Sequence, residues 1–197
     1  NSEFIGGKAD DGVNIKFSKI NLNNNIFKNN FADQIDLDYC KGFVRDSSFL
    51  YETTGDNNGD GLDISGSQIY ASGNLFRNFK DKGISVGENS HIFITKNNFK
   101  QNEVGSAVKD FSNAYYWNNY FSQNLRDIQV YQKKKIYGGG RIFLKKEERE
   151  NLMASLDKRS KVLFFPMEIE KKAPWIVNSP ESLTHFFNQL EVIEFNE

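Results

Sequence analysis

Apolar residues recur along most of the chain in pairs two positions apart: Val13/Ile15, Ile35/Leu37, Leu62/Ile64, Ile84/Val86 and Ile128/Val130, with Ser106/Val108 as a polar variant. Successive pairs lie 22 residues apart, apart from one interval of 27. A second series runs in step with them: Phe27, Phe49, Phe76, Phe99 and Phe121. Alternation over four or five residues predicts short strands with one buried face. Strands this short cannot bury that face alone. A fixed period in the low twenties solves the problem by stacking each turn on the next, with like residues about 4.8 Å apart.

One unit shows the grammar: Lys82-Gly83-Ile84-Ser85-Val86, a polar turn Gly87-Glu88-Asn89-Ser90, then Ile92-Phe93-Ile94 and Asn97-Asn98-Phe99. A leucine-rich repeat has a similar period but needs a regular Leu comb, and Leu is sparse and irregular here. The predicted fold is all-β: a right-handed parallel β-helix of about six rungs of 22 residues over 1–144, with a small C-terminal α/β cap over 145–197. Asn25, Asn74, Asn97 and Asn119 precede the Phe series, where left-handed angles and rung-to-rung hydrogen bonds predict turn ladders. Extra residues enter at 53–60, so a loop should leave the solenoid there. Ser106 in an inward position predicts a locally narrower core.

The tail changes character. Arg141–Leu144 could add a partial rung, and Lys145 to Lys158 reads as a charged helix. Ser179-Pro180 marks a helix start, followed by an apolar stripe Leu183, Phe186, Phe187 and Leu190. Since the last rung of a solenoid exposes apolar surface and unpaired edges, the tail is expected to seal it.

Composition removes several function classes. The net charge of −1 predicts no nucleic-acid partner, and no apolar run is long enough for membrane insertion. Cys40 is the single cysteine, which excludes an internal disulfide and a Cys-based zinc site. The chain opens on Asn1 rather than Met, the expectation for a processed chain or a piece of a larger one. His91 and His185 have no metal-ligand neighbour at helical spacing, and Gly138–Gly140 lack the ending of a phosphate loop.

The remaining chemistry is acidic. The residue between each inward pair points outward, which stacks Asp36 on Asp63 on neighbouring strands. With Asp60 at the mouth of the inserted loop, these three are the candidate catalytic residues, since crowded carboxylates separate in pKa and can divide acid and base roles. Asp38 and Lys109 share the outer face and are candidate ligand contacts, with the aromatics Tyr115, Tyr116, Trp117 and Tyr131 as a carbohydrate platform. Asp56-x-Asn58-x-Asp60-Gly61 matches the first half of a calcium loop, making Asp56, Asn58 and Asp60 candidate Ca²⁺ ligands; Ser67 stands where the bidentate Glu would be.

The strings Asp33-Gln34-Ile35-Asp36-Leu37-Asp38-Tyr39, Gly59-Asp60-Gly61-Leu62-Asp63-Ile64-Ser65-Gly66-Ser67, Asp81–Glu88, Ala107–Asp110 and Gln132–Lys134 carry a resemblance. Over about residues 10–145 the chain resembles the right-handed parallel β-helix module of bacterial surface proteins, often found beside spore-coat-kinase (CotH-type) and lamin-tail-like domains. The wider pectin-lyase-like superfamily includes polysaccharide lyases, glycoside hydrolases, uronate epimerases and non-enzymatic adhesins. The resemblance implies a secreted or cell-surface setting, with polysaccharide or neighbouring domains as partners. The Gly-His-Gly and Arg-x-Lys of polygalacturonase-type hydrolases are missing, and fold alone does not carry an activity across such a group. A carbohydrate-associated binding or scaffold module is therefore the leading expectation, with a polysaccharide-cleaving or epimerising enzyme, or a structural spacer or adhesin, as alternatives.

Overall fold

A computed structural model describes residues 1–53, 59–145, 154–164, 177 and 179–192. The strands wind into three parallel sheets. Sheet one contains β1 (Glu3–Ile5), β4 (Ile26–Lys28), β7 (Ser48–Leu50), β10 (Leu75–Arg77), β13 (Asn98–Lys100) and β16 (Tyr120–Ser122). Sheet two contains β2 (Asn14–Lys16), β5 (Ile35–Asp38), β8 (Leu62–Ser65), β11 (Lys82–Gly87), β14 (Val104–Lys109), β17 (Arg126–Tyr131) and β19 (Ala154–Leu156). Sheet three contains β3 (Lys19–Asn23), β6 (Lys41–Arg45), β9 (Gln68–Ser72), β12 (His91–Thr95), β15 (Asn113–Trp117), β18 (Arg141–Leu144) and β20 (Lys161–Phe164).

Register keeps like on like. Ile35, Leu62, Ile84, Ser106 and Ile128 are successive partners, and all are fully buried. The Phe series extends back to Phe4, with ring centroids 4.9, 5.0, 4.6, 5.2 and 4.7 Å apart from Phe4 to Phe121 and rings nearly parallel. The Asn ladder forms as expected. The Asn74 backbone N–H donates to Asn97 Oδ1 at 2.9 Å, and that of Asn97 donates to Asn119 Oδ1 at 3.0 Å. Ser47 takes the same place on the second rung with its hydroxyl. A serine ladder at another corner links Ser67, Ser90 and Ser112.

The space beside Ser106 is taken up from across the core. The phenol of Tyr116, on β15 of the same rung, reaches across the interior and donates to Ser106 Oγ at 2.8 Å. The larger residue fills the space its partner leaves, and the pair satisfies both hydroxyls.

The tail departs from expectation in two ways. Where a helix is expected to run to Lys158, β19 instead pairs Ile128–Val130 with Ala154–Leu156, and β20 extends sheet three to Phe164. Residues 146–153 lie outside the described residues. The open edge of β17 supplies hydrogen bonds that outweigh a modest helix preference. Asp157 then makes the turn, accepting from the Arg159 N–H at 2.9 Å and the Ser160 hydroxyl at 2.7 Å. The solenoid thus continues beyond residue 144.

The second departure concerns α1 (Pro180–Val192), which begins where Ser179-Pro180 predicts. It lies on the flank of sheet three rather than over the end of the stack. Leu183, Phe186 and Phe187 bury against the outward residues Phe43, Phe93 and Tyr115; the Leu190 side chain lies outside the described residues. Charged groups fix the approach: Lys19 reaches Glu181 at 2.7 Å, and Arg45 donates to the Val177 carbonyl at 3.1 Å. The outward face of sheet three is aromatic and needs cover. Among the described residues, no helix is long and apolar enough to cross a membrane.

Candidate functional site

The outer face of sheet two carries two polar columns. In register order the first is Asn14, Asp36, Asp63, Ser85, Ala107 and Gln129; the second is Lys16, Asp38, Ser65, Gly87, with Lys109 and Tyr131 following. Asp36 and Asp63 are direct partners, as the period predicts. The Asn14 amide donates to Asp36 Oδ2 at 2.7 Å, and Lys16 pairs with Asp38 at 2.5 Å.

The corner leading into this sheet adds Asp33, which alternation did not single out. Its Oδ1 accepts the Asp60 backbone N–H at 2.5 Å. Asp60 Oδ1 in turn accepts from Lys82, from its backbone N–H at 3.0 Å and its ammonium at 3.2 Å. Asp33, Asp60 and Asp63 thereby converge, each offering a carboxylate oxygen within 4.8 Å of the others. Asp63 Oδ1 is buried and has no hydrogen-bond partner among the described residues. Oxygen donors of this kind suit a hard divalent cation.

Burial and mutual repulsion reshape the acidity. Burial first, then the neighbouring Asp60 charge, pushes Asp33 up from 3.8 to about 7, against the hydrogen bond from the Asp60 backbone. Asp36 rises to about 6 through burial and the charges of Asp38 and Asp63. Burial also raises Asp60, although Lys82 opposes it. Burial works against the Lys82 charge, but Asp60 and Asp81 more than offset it, and its pKa rises. The corner therefore holds carboxyls that exchange protons near neutrality beside a lysine that stays charged.

Lys109 is closer to this chemistry than its rung suggests. Its side chain is buried, lies across Gly87 and donates to Ser85 Oγ at 2.7 Å. A Cβ at Gly87 would stand 2.8 Å from Lys109 Cε, so the absence of a side chain there makes the crossing feasible. The Lys109 charge is felt at Asp60. Tyr131 is half-buried at the far end of the second column.

The aromatic platform is not where the run suggests. Tyr115 is fully buried beneath Phe187 and stacks on Phe143 at 4.4 Å. Tyr116 points into the core, and Trp117 is buried with the Lys145 ammonium 3.9 Å from its ring centroid. Alternation sends one inward, and the tail covers an outward one, so none offers a face to a sugar. Exposed rings occur instead at Phe17 and Tyr39, 77% and 57% accessible, stacked at 5.0 Å. For the calcium half-motif, Asp56 and Asn58 lie outside the described residues, while Asp60 is turned toward Lys82.

Asp33 and Lys82 are hard to find from sequence because they stand at or before the start of their strands, where alternation no longer dictates direction. The available signal was their shared offset: Asp33, Asp60 and Lys82 each fall two residues before an inward apolar residue.

A family model described as a right handed beta helix region matches residues 11–143. No curated protein and no solved structure matches the chain. With the three parallel sheets and the rung-on-rung register, a match over most of the length settles the assignment: the chain belongs to the right-handed β-helix family.

Proposed function

We propose that the chain is a carbohydrate-associated module of the cell exterior that receives a polysaccharide along the outer face of sheet two. The observation that carries this reading is the partly exposed row Asn14, Asp36 and Asp63 beside Lys16 and Asp38. Neighbouring rungs are about 4.8 Å apart, close to the length one pyranose residue adds to an extended glycan. Carboxylates accept strongly from sugar hydroxyls, and the lysine and amide groups donate to ring and hydroxyl oxygens.

A second reading, polysaccharide cleavage, is favoured by the Asp33 and Asp36 carboxyls, raised to about 7 and about 6. Glycoside hydrolysis needs one protonated and one ionised carboxyl beside the scissile bond, and this corner holds both forms at neutral pH. A glycan array with a parallel reducing-end and uronate-release assay separates the two, with and without Ca²⁺, on wild type and Asp63→Ala. Binding that weakens in Asp63→Ala without product supports the module. Product that disappears in Asp63→Ala replaces it with the enzyme, and no binding to any glycan refutes both.

A further inference from the structure

At the corner between sheets two and three the chain turns through left-handed backbone at Phe17, Tyr39, Gly66, Asn89 and Phe111. Asn and Gly adopt that conformation at little cost, whereas a large aromatic residue rarely does. Phe17 and Tyr39 do so at φ of 52° and 54° while both residues remain exposed. Packing explains only part of this. Phe17 stacks on one side of Tyr39, and Gly66 lies against the other, where a Cβ would stand 2.6 Å from the ring. The arrangement clamps the phenol in place yet keeps its edge exposed.

That edge borders a cleft of about 370 Å³ between the corner and α1. The cleft is walled by Tyr39, Lys41, Gln68, Asn89, His91 and Thr184. Thr184 is fixed from two sides, by a hydrogen bond from Lys41 and by its own donation to Gln68 Oε1 at 2.8 Å. The volume lies within the range of small-ligand sites. The lining combines an aromatic edge with amide, imidazole, ammonium and hydroxyl groups.

We infer that this cleft is a second saccharide subsite, roomy enough for a pyranose residue, with the edge of the Tyr39 phenol at its rim and Gln68 and Asn89 as hydroxyl ligands. Its ligand class follows from the mixture. A polyhydroxylated ring presents hydrogen-bonding groups all around its rim, and the walls of the cleft are made almost wholly of hydrogen-bonding side chains. Tyr39 directly follows Asp38 of the outer acidic face, so one glycan chain can lie on sheet two and place a branch or terminal residue in the cleft. The inference rests on the carbohydrate reading of the chain but uses different residues.

The test is saturation-transfer NMR and calorimetry with methyl glycosides of glucose, galactose, N-acetylglucosamine and galacturonate, and with their tetrasaccharides. The proteins are wild type, Tyr39→Asn, Gln68→Leu and Asp63→Asn. Asn tolerates the left-handed angle, so Tyr39→Asn keeps the turn. Thermal unfolding, checked for each variant, is expected to stay near wild type because Tyr39 and Gln68 are not core residues. The expected result is that a monosaccharide binds weakly and loses about tenfold in affinity in Tyr39→Asn and Gln68→Leu, but not in Asp63→Asn. Tetrasaccharide binding that falls in Asp63→Asn and is unchanged in Tyr39→Asn and Gln68→Leu overturns the cleft and leaves the outer-face reading standing. The reverse pattern overturns the outer face and leaves the cleft. No saccharide binding to wild type overturns both.

Discussion

Replacing Asp33 by Asn separates what the acidic corner does for the fold from what it does beyond it. Asp33 Oδ1 accepts the Asp60 backbone N–H, and an Asn carbonyl can do the same. What the substitution removes is a carboxyl whose pKa stands at about 7 rather than 3.8. The folded state therefore holds a proton that the unfolded chain has released between those two values. Stability contributed by this group is complete below about pH 3.8 and is lost as pH rises to about 7. At 1.36 kcal/mol per pH unit, the gap sets a ceiling of about 4 kcal/mol. Asp33 is partly exposed and shares its burden with Asp60, so about 1–3 kcal/mol is the working figure. Urea unfolding of wild type and Asp33→Asn at pH 5 and pH 8 measures it. The variant should gain stability relative to wild type at pH 8, and gain clearly less at pH 5. A variant that is no more stable at pH 8, or gains equally at both, refutes the idea that Asp33 is held protonatable by its surroundings.

Other perturbations probe the rest of the structure. Asn97 donates to Ala71 O and Thr95 O and accepts two hydrogen bonds from Asn74, so Asn97→Ala should cost about 3–5 kcal/mol in urea unfolding by orphaning buried groups. Asn97→Ser should cost clearly less, since Ser47 already performs this role elsewhere in the ladder. Gly87→Ala should leave stability within about 1 kcal/mol, because Lys109 can swing aside. Carboxyl NMR titration should then show Asp60 moving upward as the Lys109 charge withdraws. Phe187→Ala empties a fully packed site against Tyr115 and His91; hydrogen exchange should show α1 opening while sheet amides stay protected, as expected for an element that docks on the solenoid.

The sequence discloses what stacking repeats and conceals what stacking does not constrain. A side chain inside the solenoid must match the rungs above and below, so Ile35, Leu62 and Ile84 announce their register, and Asp36 and Asp63 inherit it. Alternation gives direction but not cover: it turns Tyr116 into the core, whereas the cover over Tyr115 comes from α1, more than sixty residues later. The strand at Ala154–Leu156 was hidden for a related reason: its partner edge, not its own composition, makes it a strand. Phe17 and Tyr39 sit at a turn, where neither period applies.

The corner beside Asp33 supplies its own control. A few residues away, the same turn of other rungs holds one rung on the next with neutral amides. Asn102 Oδ1 accepts the Phe79 N–H at 3.0 Å, and Asn124 Oδ1 accepts the Asn102 N–H at 3.0 Å. These amides also donate, to the Phe76 and Phe99 carbonyls, which a carboxylate cannot do. For holding a rung, an amide is thus the better group. Asp33 and Asp60 fill equivalent backbone duties with a charge that burial resists, and they stand against Asp63, whose Oδ1 has no partner among the described residues. A solenoid needing only turns would have no use for that third carboxylate or for the repulsion it brings. The convergence of three carboxylates falls on the rungs where the chain also inserts its extra residues, and that coincidence is the physical reason to look for chemistry at this corner.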